Sequence, residues 1–511
     1  MGMDLMLKTL FMEDFKMRRR MTKIIQCFVF LNILFFTLWT INKFLIPKQI
    51  YRNNTWPTTS TYNQFYKMEK DSIDVIFQGS SVCVNAFSPQ EIYNNYGIRS
   101  YNLGSEQQSV LLSYYWLKEA LQTQSPQVVV LDTRFVFMLH PENPLNSTEA
   151  SIRKCLDPMK WSKIKMEAVK ELCAVNPSQT ALSFYLTNIR FHTRWTELTE
   201  YDLNLSQSQS SELKGYSAIA TYGPESYSTF DPKDNTPIEK AHPIGEEYLL
   251  KIINLCKEND IELILVSLPQ NAMNDGINNY LNKISSDYSV DYYNFCETSN
   301  YNALNVTLPR ESALGHENIW GAIKMSQYIG KLLSEKYHIK PVFDKQWEDT
   351  REYYEQIKKN CELSHITDFA EYLKAINDDS YTVFISIKDE GTFGLSDICR
   401  KQLKDLGLKT DFIDKYRYSY YAIIDSQTGV IEKSDEDLKL TYKSSVRDNN
   451  TMYSILSAGY NAGPSSSIII DGTEYSKNGR GMNFVIYDKV QMKVIDQVRF
   501  DTSIPEMTAY R

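Results

Sequence analysis

The periodicity of hydrophobic positions changes several times along the chain. Residues 24–41, IIQCFVFLNILFFTLWTI, are apolar apart from Gln26, Asn32 and two threonines, and the run resumes in Phe44, Leu45 and Ile46. That length predicts a helix spanning a bilayer over residues 24–46. Between residues 70 and 340 the texture is different. Short apolar runs at 73–77 (IDVIF), 128–131 (VVVL), 261–266 (IELILV) and 291–295 (DYYNF) alternate with helical patterns at about 110–121, 246–258 and 320–335. Buried strands separated by amphipathic helices predict an α/β domain with a parallel, doubly wound sheet. Residues 138–243 break this rhythm with helical, aromatic and serine-rich pieces, among them SQSQSS at 206–211, and read as an insertion or cap. A charged helical connector is expected at 341–377. Beyond it, residues 378–511 carry YTVFISI at 381–387, a helical pattern at 396–406, YSYYAII at 418–424, SSSIII at 465–470 and a hairpin at 482–500. These predict a second, smaller mixed α/β domain.

Charge gives the apolar run a direction. Lys16, Arg18, Arg19, Arg20 and Lys23 crowd its N-terminal side, whereas Lys43, Lys48 and Arg52 are sparser on the other. By the positive-inside rule residues 1–23 are a cytoplasmic tail and the bulk of the chain is extracellular, a single-pass type II arrangement at the cell membrane. No small-x-small cleavage site follows the run, which argues against a removed signal peptide. The whole chain has 511 residues, 42% of them hydrophobic and 23% charged, with a formal net charge of −8. That excludes a wholly disordered chain, and without a basic face it argues against nucleic acid as a partner. Eight cysteines include Cys27 inside the apolar run and form no C-x-x-C pair. Nothing therefore points to a metal centre. Cys155 with Cys173, or Cys361 with Cys399, are candidate disulfides in an exported chain, with buried thiols as the alternative.

Candidate chemistry gathers at the ends of the predicted strands of the larger domain. The first strand runs into FQGSSVCV, so Gly79, Ser80 and Ser81 form a small-residue bend that exposes Ser81 and leaves its N–H free for an oxyanion. A second tight turn, YNLG at 101–104, lets Gly104 bring another N–H close. His316, in ALGHENIWGAIK just before the last helical pattern, is placed to act as a general base. GSS at 79–81, YNLG at 101–104 and H-x-N-x-x-G-A-x-K at 316–324 resemble the nucleophile, glycine and histidine blocks of the SGNH/GDSL hydrolase superfamily. The resemblance is closest to its membrane-anchored bacterial members from cell-surface polysaccharide and O-acylation systems. It covers about residues 70–340 and implies a flavodoxin-like sheet carrying a serine esterase or O-acyltransferase. Two positions depart from the family. Ala313 stands three residues before the histidine, where the family has the orienting Asp, and Asp132-Thr133-Arg134 replaces the turn whose Asn donates to the oxyanion. Asp132 and Glu311 are the candidates left to orient His316.

The segments FISIKDEGTFGLSDICRKQLKDLG at 384–407, KYRYSYYAII at 415–424 and RGMNFVIYDKVQMKVIDQVRFDT at 480–502 resemble the interleukin-like EMT-inducer domain. That family includes a small group of secreted signalling proteins and the stem of the protein O-mannose N-acetylglucosaminyltransferase. The resemblance implies a carbohydrate-binding module over about residues 380–505. Asp389 and Arg417 are its candidate contacts, an acceptor and a forked donor for sugar hydroxyls. A structural Asp–Arg pair is the alternative.

Together these features lead to the expectation of a cell-surface O-acyl esterase or acyltransferase acting on envelope polysaccharide. It would work through Ser81, His316 and the Gly104 N–H, need no cofactor, and have a cell-envelope glycan and a membrane acyl-transfer protein as partners. The competing expectation is a degenerate, non-catalytic surface protein for glycan binding, adhesion or polysaccharide assembly.

Overall fold

The computed structural model describes residues 2–47, 50–51, 54–55, 59–137, 148–198, 200–203, 212–223, 229–233, 235–269, 273–312, 315–446 and 451–511. They divide into two compact units, Met1–Ser217 with Thr221–Glu348, and Ala218–Ala220 with Asp349–Arg511.

The chain opens with α1, Gly2–Leu45. Its stretch Met17–Leu45 is the one described helix long and apolar enough to cross a membrane. Large apolar side chains such as Phe28, Phe30, Phe35 and Phe36 stand exposed along it. A helix apolar on all sides belongs in an apolar medium.

The first unit is built on a parallel five-stranded sheet of β1 (Val75–Gln78), β2 (Ser100–Asn102), β3 (Val128–Asp132), β4 (Glu262–Ser267) and β5 (Asp291–Asn294), in the order β2-β1-β3-β4-β5. Val75 pairs with Ser100 on one side and Val128 on the other, Val128 with Glu262, and Ile264 with Asp291. Alternate strand residues enter two separate cores. Ile76, Val129, Leu131, Leu263 and Leu265 pack with helices Val110–Ala120, Pro243–Glu258 and Asp275–Tyr288. Val75, Phe77, Val128, Val130, Ile264 and Val266 pack with α2 (Ser81–Ala86), α3 (Pro89–Tyr96) and α4 (Ile319–Glu335). Burial on both faces is why these strands read as continuous apolar runs without alternation. The apolar runs and helices expected from the sequence are present, but the three-residue β2 and the helices Pro89–Tyr96 and Asp275–Tyr288 were not anticipated.

Within residues 138–243 the described part includes the helices Glu149–Leu156, Lys163–Val175, Ala181–Tyr185 and Asn188–Phe191, while residues 212–223 and 229–233 carry no helix. Ser206–Ser211 lie outside the described residues.

The second unit holds a ten-stranded mixed sheet. Its centre is β6 (Tyr381–Asp389), flanked on one side by β12 (Gly481–Asp488) and then β13 (Lys493–Phe500). Its other edge changes partner along its length. Thr382–Ser386 pair antiparallel with β7 (Ser419–Asp425), which leads to β8 (Gly429–Asp435). Lys388 and Asp389 instead pair in parallel with Ala458 and Gly459 of β10 (Thr451–Gly459). β9 (Leu440–Val446) and β11 (Ser465–Ile470) flank β10. Two two-residue strands, Thr473–Glu474 and Ala509–Tyr510, complete the sheet. This partner switch curls the sheet, so Phe384, Ile423, Ile455, Ile468 and Val485 enclose one core. Helices Phe369–Ala375 and Asp397–Asp405 cover the opposite face over Val383, Ile385, Phe484 and Phe500.

All eight cysteines are free thiols. Neither Cys155–Cys173 nor Cys361–Cys399 is bridged, and burial of the Cys155 thiol pushes it up to about 12.

Candidate functional site

The loop after β1 is shaped by what cannot fit there. Gly79 has φ of 154°, and a Cβ on it would lie 2.5 Å from the Asp132 Cβ. Gly104, after β2, is pressed just as closely on Gly79, since a Cβ there would meet the Gly79 carbonyl oxygen at 2.6 Å. Leu103 N–H donates to Phe77 O at 2.8 Å and Ser105 N–H to Gly79 O at 3.3 Å, which fastens the two strand ends together. The N–H groups of Ser81 and Gly104 have no hydrogen-bond partner among the described residues. Two free donors thus lie on adjoining turns, one of them on Ser81 itself.

Ser81 is the first residue of α2 and is half-buried. Its Oγ lies 2.9 Å from His316 Nε2, across 235 residues of sequence. The histidine is held by the start of α4. Asn318 caps that helix by accepting from Gly321 N–H at 3.1 Å, and its amide donates to Arg310 O at 2.6 Å and Ser312 O at 2.9 Å. The loop carrying His316 is thereby tied at both ends.

The two carboxylates expected to orient His316 are engaged elsewhere. Asp132 is buried and accepts from Ser80 Oγ at 3.0 Å, Ser80 N–H at 3.5 Å and Arg134 N–H at 3.0 Å. Burial raises its pKa, and these bonds and the nearby Arg134 charge oppose the rise. Its structural effect is to pin the turn that presents Ser81. Glu311 accepts from Thr307 N–H at 2.6 Å and pairs with Lys324 at 2.6 Å. Ala313, three residues before the histidine, lies outside the described residues.

Sequence reasoning passed over Glu317, which is buried directly beside His316. Burial first, and the Glu311 charge second, push its carboxyl up to about 8. It also passed over Arg134, whose Nε is buried without a hydrogen-bond partner among the described residues. A carboxylate between a His and an Asn reads as a solvated loop residue, so nothing in the local pattern marks Glu317 as enclosed.

In the second unit the partner switch of β6 brings Asp389 and Arg417 together. The Tyr460 N–H points at both of their carbonyl oxygens, 3.1 Å from Asp389 O and 3.2 Å from Arg417 O. Both residues have positive φ, 63° and 65°, a conformation that costs non-glycine residues energy and that clusters at binding sites. The Arg417 guanidinium lies 3.9 Å from the Tyr460 ring centroid and 4.9 Å from that of Tyr416. The side chains of Asp389 and Arg417 form no ion pair or hydrogen bond with each other or with any other described residue. Their turn is braced by buried Glu390, which accepts from Thr392 N–H at 2.6 Å, Phe393 N–H at 2.8 Å and Arg417 N–H. Next to it an open hollow of about 560 Å³ is lined by Thr392, Phe393, Arg400, Ile413, Lys415 and Tyr416.

Residues 344–426 match the family model of the interleukin-like EMT inducer. The match begins and ends earlier than the 380–505 expected from the motifs, and it contains Glu390 and both candidate contacts. The match supports an interleukin-like EMT-inducer-like domain in the second unit, and the tyrosine-backed pair lies within the matched part. No curated protein matches the chain.

Proposed function

We propose that the first unit is an SGNH-like domain of flavodoxin type and acts on O-acyl groups of an envelope glycan, as an esterase or an acyltransferase. The observation that carries this is the 2.9 Å approach of Ser81 Oγ to His316 Nε2. The strand order β2-β1-β3-β4-β5 supports the fold, because it is the 2-1-3-4-5 order of flavodoxin-like sheets, which bind ligands at strand C-termini. In the proposed mechanism Ser81 Oγ attacks the acyl carbonyl as its proton passes to His316 Nε2, and the N–H groups of Ser81 and Gly104 receive the oxyanion. The sugar oxygen leaves with that proton. Water or a second sugar hydroxyl, deprotonated by the same imidazole, then attacks the acyl-serine and frees Ser81. With Ala313 where the family has its orienting Asp, turnover is expected to be slow, since losing that carboxylate costs on the order of ten-thousand-fold in a serine triad.

N-terminal helix α1 anchors the chain in the cell membrane in this reading, with residues 1–23 cytoplasmic and the rest outside. The interleukin-like EMT-inducer-like domain binds glycan through Asp389 and Arg417. Their free polar groups beside Tyr416 and Tyr460 support that, because sugars combine hydroxyls with an apolar face that lies flat on aromatic rings. A membrane acyl-donor protein is the proposed partner of the transferase variant.

Ala313 favours a second reading, a degenerate domain that holds glycan without turning it over. Hydrolysis of an activated acetyl ester by the purified chain separates the two. Slow turnover by the wild type, lost in both Ser81→Ala and His316→Ala, supports catalysis. Should the wild type and Ala313→Asp both fold and neither react, the binding-only reading stands.

A further inference from the structure

The face of the first unit beside the end of α1 is apolar and uncovered. Trp195 is 71% exposed, Trp161 63%, Leu182 57% and Leu186 56%, and Ile189 is also exposed. Leu182 lies on helix Ala181–Tyr185, Leu186 closes that helix, and Ile189 lies on helix Asn188–Phe191 that follows at once. Trp161 joins them through Tyr185, with ring centroids 5.1 Å apart.

The same stretch is fastened to the last turns of α1. Asn188 Nδ2 donates to Leu38 O at 3.4 Å, and Asn42 and Thr187 exchange hydrogen bonds of 2.8 and 3.0 Å. Arg194, next to Trp195, donates to Leu45 O at 2.5 Å and pairs with Asp202 at 2.8 Å. Phe191 and Leu45 are buried in one small core with Ala150. The apolar part of α1, Met17–Leu45, has 29 residues. At about 1.5 Å per residue it reaches roughly 44 Å, close to the ~40–45 Å of a bilayer with its headgroups. Leu38 then lies about 10 Å inside the outer end of the helix. Whatever is hydrogen-bonded to Leu38 and Asn42 shares that depth.

We propose that the face formed by Trp161, Leu182, Leu186, Ile189 and Trp195 is immersed in the outer leaflet of the membrane that α1 crosses, an inference that rests on the membrane reading of α1. The occupant is lipid at the boundary of headgroup and acyl chain, where tryptophan is favoured and amphipathic segments lie. The anchor's own contacts fix the stretch beside the bilayer. Docked this way, the unit cannot swing freely on a flexible stalk, and it meets substrates delivered at the membrane surface.

The test uses the full chain in phosphatidylcholine vesicles at high lipid excess, with bromines on the upper acyl carbons as tryptophan quenchers. Trp195→Phe and Trp161→Phe should each remove part of the bromine-quenched intensity, as Trp39→Phe, within α1, does. Trp195 should also become less accessible to aqueous acrylamide on moving from detergent to vesicles. If only Trp39→Phe changes the quenched intensity, α1 spans but the face is not immersed, and the proposal is overturned. If none of these substitutions changes it, α1 is not in the bilayer and the proposal fails together with the membrane reading.

Discussion

Beneath Gly321, where an added Cβ would come within 2.5 Å of its Oε2, the Glu317 carboxyl is cut off from water. With its pKa up to about 8, it stays largely protonated at neutral pH. An acid whose pKa rises on folding binds more protons folded than unfolded between the two values, so it lowers stability progressively as pH climbs from about 4.5 to 8. Glu317→Gln, which mimics the protonated form, should match wild type near pH 5 and exceed it increasingly up to pH 8, by at most about 5 kcal/mol. Urea unfolding across that range checks the trend, and a constant difference would mean the carboxyl titrates normally. Glu390 has the opposite role, a buried carboxylate with every bond made. Glu390→Ala leaves the N–H groups of Thr392, Phe393 and Arg417 without it, and should cost about 3–5 kcal/mol in the second unit. Urea unfolding measures that too. Neither glutamate stands out in the sequence, because each sits in a polar loop segment with no apolar pattern to mark it as enclosed. Ser81, Gly104 and His316 were legible because small residues after an apolar run, and a histidine ahead of a capped helix, are local patterns.

Among the elements, the turns after β1 and β2 leave no room for a side chain at Gly79 or Gly104. Gly104→Ala must push a methyl group into the Gly79 carbonyl, so the two strand ends should separate. The expected outcome is a lowered Tm and, if the site is catalytic, a larger loss in kcat than in KM, since the oxyanion donors serve the transition state. An unchanged Tm would show that the turn relaxes without cost. Legibility followed burial here as well. β1, β3, β4 and β6 stood out because they are buried runs, whereas β8, GVIEKSD, has no fully buried residue and offers no apolar signal. β2 was read as a turn because only Ser100–Asn102 are extended before Gly104. Residues 341–377 read as a charged helical connector, yet Leu363, Phe369, Tyr372 and Leu373 are buried in the core of the second unit. A fragment starting at 349 should therefore unfold cooperatively, while one starting at 378 should lose the cooperative transition, and calorimetry distinguishes them. Equal behaviour would place those helices outside the folding unit.

For the whole molecule, the parallel sheet is what makes the proposed chemistry conceivable. It carries the ends of β1 and β2 and the loop before α4 to one edge, joining groups 235 residues apart in sequence. The anchor and the immersed face proposed for the first unit would hold that edge near the membrane. In the proposed function the second unit would add a weak sugar contact, of roughly millimolar strength or about −4 kcal/mol, that gains effect when the glycan is displayed in many copies. On a multivalent glycan array Asp389→Ala and Arg417→Ala should lose binding at unchanged Tm, and retention of binding in both would remove these residues from the site. The proposed chemistry requires Ser81 and His316 to work as a nucleophile and its base. Intact-mass and peptide analysis after treatment of the full chain with an activated phosphonate ester tests this. A single adduct on Ser81, slowed strongly in His316→Ala and absent in Ser81→Ala, is the expected result; no adduct on the folded wild type, or an adduct on another serine, would contradict it.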